Sequence, residues 1–332
     1  MKGTNWKTTI ISLIVASFFL FLAFRDTSFH ELWQAIGSVT WYGALALGCG
    51  TIFGTIIRGW RWWYTLPTPR LASEFWSFQR AIGVCYAANN FVPRSGEIVR
   101  ILLTRRETNR SLPLLSSTLV LDRFLLDLIG FIGVFALAFL INARLISGLF
   151  EEAIQVLMVL LFMCVAALAG LLFLAFFPER FLVLLRLVQL HRLPRIFEKF
   201  ADMTRELSLG MSSLKTFRSA SHVLFQTIFM WCIYLLVFRL GLAVFDIPTT
   251  LPQATLAFAI SMLGIVFPSP GGLGTYHFFA QTALVSVYGQ TEIQGLAFAT
   301  SMHAIMYVTN TLYGLLCFGF SFKNSGSTSL TS

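Results

Sequence analysis

Apolar runs about as long as a bilayer is thick recur along this chain, and no other feature constrains its fold as strongly. They cover 8–24, 41–57, 75–92, 118–141, 153–177, 222–245, 253–267, 275–288 and 296–320. A helix needs about 17–25 apolar residues to cross the hydrocarbon core, and most of these runs reach that length. Hydrophobic residues make up 56% of the chain and charged residues only 12%, against roughly 25% charged in a soluble domain. Lipid cannot satisfy backbone N–H and C=O groups, so the spanning segments must be helical. The expected fold is all-α: a polytopic integral membrane bundle forming a single transmembrane domain over 1–332. The first run continues to Phe24 and ends in Arg25-Asp26 without a small-residue cleavage site. It reads as a retained span rather than a signal peptide.

Positive charge then orients the spans, because Lys and Arg mark the cytoplasmic side. Three basic residues fall in 58–74, five in 93–117 and eight in 178–221, whereas 246–252 and 289–295 have none. Both ends of 75–92 are therefore drawn to the cytoplasm, which a full span cannot satisfy. A re-entrant hairpin can, turning at Pro93-Arg94-Ser95-Gly96 and leaving through 97–106. The short runs 253–267 and 275–288 pose the mirror problem around Pro268-Ser269-Pro270-Gly271-Gly272-Leu273-Gly274. They read as a hairpin from the outer face. The sum is about six full spans plus two re-entrant helical hairpins, both termini cytoplasmic, in a bacterial inner membrane. Broken helices at matching positions suggest an inverted-topology repeat with halves 1–141 and 153–320. Eight ordinary spans with proline kinks are the alternative.

The segment 178–221 is basic and amphipathic. Ile196, Phe200, Met203 and Leu207 share a helical face, with Lys199, Asp202, Arg205 and Glu206 elsewhere. Such a helix suits the inner leaflet and its anionic headgroups. The net charge of +9 reads as topology, and no compact Lys/Arg tract supports nucleic-acid binding. Cys49, Cys85, Cys164, Cys232 and Cys317 stand alone in apolar stretches, so neither metal nor disulfide is expected.

Charged residues inside spans cost roughly 2.5–3.5 kcal/mol each near the centre, and they usually face the bundle interior and pair. Arg58, Arg80, Asp122, Arg123, Asp127 and Arg239 are of this kind. Arg123 and Asp127 are four apart and can meet on one helical face, either as a packing pair or as part of a site. Arg239 can snorkel to the outer surface.

The stretch Asn89-Asn90-Phe91-Val92-Pro93-Arg94-Ser95-Gly96-Glu97-Ile98-Val99-Arg100 carries the densest chemistry. Asn89 and Asn90 place amides at depth, while Pro93 and Gly96 break the helix. A helix starting near Gly96, beside Arg94 and Arg100, is a candidate phosphate site. Glu97 is placed to cap that helix or pair with an arginine. In the second break, glycines permit positive φ and close backbone approach. The turn lacks the GK[ST] of a nucleotide loop. His277, just beyond it, is either a packing residue or a proton relay.

Four motifs in order resemble the lysylphosphatidylglycerol synthase transmembrane family, also called the flippase-like domain family. They are Arg58-Gly59-Trp60-Arg61-Trp62, Asn90 to Arg100, Asp122-Arg123-Phe124-Leu125-Leu126-Asp127 and Pro268 to Gly274. The likeness covers roughly 8–320 and is to the stand-alone form without the synthase domain. It implies a membrane domain that moves or handles lipids. Where the family often has Glu after the Pro-Gly-Gly-x-Gly turn, this chain has Thr275-Tyr276-His277.

The combined reading is a membrane lipid translocase for an anionic phospholipid or lipid-linked phosphate, without catalytic residues, metal or cofactor. Arg94, Arg100 and the helix start after Gly96 would bind the headgroup, with Asn90, Glu97, Asp122, Arg123 and Asp127 around it. Arg58, Arg61 and Arg80 would form a basic approach. Pro93 would shape the inner turn, and Pro268, Pro270, Gly271, Gly272, Gly274 and His277 would gate the outer side. Membrane lipids are the expected partners. The alternatives are a membrane subunit for a separate lipid-modifying enzyme, or an intramembrane headgroup or glycosyl transferase with Asp122, Asp127 or His277 as base.

Overall fold

A computed structural model describes residues 6–25, 27–37, 39–67, 69–92, 95–142, 151–187, 189, 192–211, 214, 216–267 and 269–327. Every regular element among them is helical. The first part runs α1 (Trp6–Phe24), α2 (Phe29–Ile36), α3 (Trp41–Tyr64), α4 (Phe75–Phe91), α5 (Ser95–Thr108), α6 (Leu112–Val120), a π-helical stretch (Leu121–Leu126) and α7 (Asp127–Ile141). The second runs α8 (Glu151–Phe176), α9 (Pro178–Leu187), α10 (Pro194–Met211), α11 (Phe217–Val244), α12 (Leu251–Met262), α13 (Thr275–Tyr288) and α14 (Glu292–Ser327).

Among the described residues, three stretches are long and apolar enough to cross a membrane: Leu112–Ile141, Phe217–Val244 and Glu292–Ser321. The count reaches five if each of the bent pairs α1–α2 and α8–α9 is one crossing. The first of the three runs unbroken through α6, the π stretch and α7; its 30 residues measure about 45 Å at 1.5 Å per residue.

Both expected breaks are present, each joining two short helices that pack together. The α4–α5 pair turns at residues 92–95. Pro93 and Arg94 lie outside the described residues. After α12, a single 3₁₀ turn, Leu263–Ile265, precedes a second, Pro270–Gly272, and α13 follows. Pro268 also lies outside the described residues. Thr250 and Gln253 cap the start of α12 reciprocally, so two orphan backbone donors are met locally.

The two hairpins open at opposite ends of the α6–α7 span. Next to its start, Arg110 donates to both Glu74 oxygens at 2.7 and 3.0 Å and to Pro69 O at 3.2 Å. That ties the chain ends flanking α4 and α5 together. At its finish, Asn142 Nδ2 donates to Pro252 O at 2.9 Å, and Thr249 Oγ1 lies 2.7 Å from Tyr288 OH. Those contacts gather the ends of α12 and α13.

The packing is also reciprocal. The first arm of one hairpin, α4, lies against α14, and the first arm of the other, α12, lies against α7. The helices that precede the hairpins, α3 and α11, pack on each other. Without a hydrophobic force between helices in lipid, close backbone approach carries such contacts. A Cβ on Gly314 would sit 2.6 Å from Gly83 O, and one on Gly54 would sit 2.7 Å from the Tyr234 ring.

On α10 the buried positions are Ala201, Thr204 and Gly210, where α10 packs on α6. A Cβ at Gly210 would lie 2.6 Å from Ser117 O. Ile196, on the apolar face read from the sequence, is 43% exposed. Small residues face the protein because they admit a neighbouring backbone, and the bulkier Ile196 is turned outward. The side chains of Met203 and Leu207 lie outside the described residues.

Candidate functional site

Four of the six intramembrane charges, Arg58, Asp122, Arg123 and Asp127, converge. Arg58 and Arg61, three apart near the end of α3, share a helical face. Glu97, Arg100 and Thr104 share a face of α5 by the same spacing. Asp122, Arg123 and Asp127 come from the π stretch and the start of α7. In an α-helix, residues five apart point about 140° away from each other at 3.6 residues per turn. The i→i+5 bonding of a π turn over Leu121–Leu126 widens the helix locally. Asp122 and Asp127 both end up facing α3.

Arg58 forks onto Asp127, Nη1 to Oδ2 at 2.9 Å and Nη2 to Oδ1 at 3.1 Å. Arg61 bridges both carboxylates. Its Nε donates to Asp122 Oδ1 at 2.9 Å and its Nη2 to Asp127 Oδ1 at 2.6 Å. Arg100 Nη2 donates to the other Asp122 oxygen at 3.2 Å. Arg123 Nη2 donates to Glu97 Oε1 at 2.9 Å. The side chains of Arg61, Arg100 and Asp122 are wholly buried.

Among the described residues, four guanidiniums thus meet three carboxylates, leaving one positive charge over. The surplus has an address. Arg100 Nε and Nη1, Arg123 Nε and Thr104 Oγ1 are buried with no hydrogen-bond partner. The Arg100 guanidinium lies 4.2 Å over the Trp62 ring, a cation–π contact that holds it in place. Trp62 is fixed in turn by Nε1 donating to Thr118 Oγ1 at 3.2 Å. Thr227 and Tyr234 on α11 accept from Arg61 Nη1 and Arg58 Nε, each at 3.4 Å.

Several placements differ from the sequence reading. Arg61 lies at the centre of the cluster rather than on an approach to it, because its fork is the group that spans both aspartates. Arg80 is not an open basic approach: its Nη2 donates to Glu107 at 2.6 Å, locking α4 to α5. Arg123 is only 3.7 Å from Asp127 and prefers Glu97, since Arg58 and Arg61 already hold Asp127. The α5 N-terminus is not free for an anion: Gly96 N–H donates to Asn89 Oδ1 at 2.9 Å. Gly96 also fits where a side chain would not, since a Cβ there would strike Cys85 O. Asn90 lies away from the arginines. Its Nδ2 donates to Tyr307 O at 3.0 Å and Thr311 Oγ1 at 2.9 Å. Arg239 is exposed.

Sequence reasoning missed Trp62, Thr104, Thr118, Thr227 and Tyr234. Neutral side chains in apolar helices give no hydropathy signal. The three-residue spacing of Arg58 and Arg61 was the clue that both point inward.

The second break builds a separate centre. Gly271, Gly272 and Gly274 adopt φ of +57, +82 and +79°, and at Gly274 a Cβ would also meet Ala16 O and Leu20 N of α1. Pro270 starts the 3₁₀ turn. His277 is buried and its ring lies 4.8 Å from that of His303 on α14. His303 Nε2 lies 3.1 Å from Gly271 O. Tyr307, one turn further along α14, donates its hydroxyl to Asn90 O at 3.3 Å. Both hairpin tips thus bond to successive turns of one helix. Among the described residues, no group of three or more His, Cys, Asp or Glu could hold a metal ion.

Spanning helices, broken elements and a buried ion cluster together define an integral membrane protein with a polar centre inside its bundle. The model of the lysylphosphatidylglycerol synthase TM region matches residues 9–314, and the chain belongs to that family. The family points to a lipid-related function in the membrane. No curated protein matches the chain.

Proposed function

We propose that this protein is a non-catalytic lipid translocase of the bacterial inner membrane, with both termini cytoplasmic. It moves an anionic phospholipid or lipid-linked phosphate between leaflets. The observation that carries this reading is the unmatched guanidinium. Arg100 is wholly buried, has two N–H-bearing nitrogens without partners, and belongs to a cluster that, among the described residues, is one carboxylate short of neutral. A buried charge without full pairing is costly, and a phosphate oxygen is the ligand a guanidinium fork fits best.

In this reading α4–α5 and α12–α13 are re-entrant hairpins from the inner and outer faces. Their opening at opposite ends of α6–α7 and the reciprocal packing of α4 on α14 and α12 on α7 support an inverted repeat. The cluster is closed in the structure, so a headgroup reaches Arg100 only when one half rocks against the other. Arg58, Arg61, Asp122 and Asp127 hold the frame, and Arg100 and Arg123 meet the phosphate.

Purified protein in liposomes, assayed for scrambling of labelled phosphatidylglycerol against a zwitterionic lipid, tests this. Wild type should move the anionic lipid faster. Arg100→Gln, confirmed as folded, should weaken lipid binding about 10- to 150-fold, the value of one charge-assisted hydrogen bond. Unchanged affinity in Arg100→Gln, or no translocation by wild type, would overturn the reading.

A further inference from the structure

The His277–His303 pair is used by nothing above. His277 is buried and His303 partly buried where α13, α14 and the outer turn meet. His277 is 4% exposed, and its Nδ1 has no hydrogen-bond partner. Because Gly271 O can only accept, His303 Nε2 must carry the hydrogen in the 3.1 Å contact between them. Neutral His303 then keeps its lone pair on Nδ1. Two imidazole nitrogens are thus available to a proton beside the outer turn.

Among the described residues, the surroundings hold no carboxylate against it. Tyr276 lies on α13 itself, and its ring is 5.9 Å from that of His303. From α1, Phe24 faces His277 at 6.1 Å, and Arg25 and Asp26 follow it in sequence, Asp26 outside the described residues. On α2, His30 and Glu31 are exposed. The segment 251–274 contains no titratable side chain. The tip of α4 brings Asn89 and Asn90, and α14 brings Tyr307. Glu292 heads α14 eleven residues before His303, about 16 Å along the helix. A proton placed on His277 would be a buried charge with no carboxylate beside it among the described residues, and two protons on adjacent rings would repel.

From this geometry we infer that His277 and His303 form a proton-binding latch on the outer hairpin. The neutral pair lets the turn pack closed over His277, and taking up a proton favours the open turn, where water solvates the charge. Resting on the translocase reading, the latch gives that activity a coupling ion: binding of a proton from the outer side opens the outer gate. His303 is bonded to the hairpin and His277 sits on the helix the hairpin starts. Solvating a new imidazolium requires separating these elements.

Hydrogen–deuterium exchange in nanodiscs tests the latch without requiring transport. After correction for the intrinsic pH dependence of exchange, wild-type peptides covering 263–276 should exchange about ten-fold faster at pH 5 than at pH 7.5. His303→Gln keeps an N–H donor for Gly271 O but does not titrate, and His277→Gln removes the other ring. Both should exchange at the slow rate at both pH values, with unchanged elution and thermal denaturation at pH 7.5. A wild-type segment indifferent to pH overturns the latch, whatever the variants do. So does a pH response that survives in both variants. A pH-responsive hairpin in a protein that moves no lipid would leave the latch standing and remove the function proposed above. Lipid movement with a pH-indifferent hairpin would do the reverse.

Discussion

Asp122 and Asp127 accept from the same Arg61 side chain, although five residues of helix separate them. The π turn between them makes this possible, and it turns two scattered charges into one four-arginine cluster. Asp122 is the more committed of the two. It is wholly buried and lies within 4 Å of three guanidiniums, those of Arg58, Arg61 and Arg100.

Asp122→Asn should therefore destabilise the protein by about 3–5 kcal/mol, the usual cost of stripping one partner from a buried ion pair. Asp127→Asn should cost less, because Asp127 retains 20% side-chain exposure and water can reach what it leaves. Chemical denaturation in detergent measures both. Equal stability of Asp122→Asn and wild type would mean the cluster does not hold the fold.

Trp62→Phe tests the platform under Arg100. Phenylalanine keeps a ring but loses the donor to Thr118 and weakens the cation–π contact. Lipid affinity should fall by about 1 kcal/mol, roughly five-fold, with the helical content unchanged by circular dichroism. A loss as large as that of Arg100→Gln would show that Trp62 does more than position the guanidinium.

Gly271→Ala and Gly274→Ala separate backbone strain from crowding. Both positions have positive φ, which costs a side chain roughly 1–2 kcal/mol. At Gly271 a Cβ would meet nothing within 4 Å, whereas at Gly274 it would strike the α1 backbone. Thermal denaturation should rank Gly274→Ala clearly below Gly271→Ala, and equal melting temperatures would contradict the close approach of α1.

The hairpin ends can be mapped by labelling. With the native cysteines replaced, Leu71→Cys and Ser111→Cys should react only from the cytoplasm. Leu251→Cys and Glu292→Cys should react only from outside. Labelling of positions 71 and 111 from opposite sides would make α4 a full crossing.

Much of this was legible in the sequence, for identifiable reasons. Charges in apolar runs are rare enough that Arg58, Asp122, Arg123 and Asp127 stood out, and Pro/Gly clusters marked both breaks. The partners were not legible. Arg123 and Asp127 look like a pair on any α-helical wheel, and nothing in Leu121–Leu126 announces a π turn. Asn89 reads as a polar residue at depth, yet its carboxamide occupies the N–H that seemed free at Gly96. Arg80 looked available because Glu107, its partner, lies 27 residues away. Sequence shows which residues are costly to bury; only the fold shows what offsets the cost.

The reciprocal packing of hairpins and closing helices bears on how the chain is made. Synthesis is vectorial, and α4 leaves the ribosome long before α14, the helix that covers it. Until then the strip around Gly83 and Ala87, shaped for the backbone at Gly314, lies open to lipid or to an insertion factor. The nascent first half is thus an assembly intermediate waiting for its second half. Two fragments divided within 143–150 should be unstable when expressed singly and should rescue each other when expressed together.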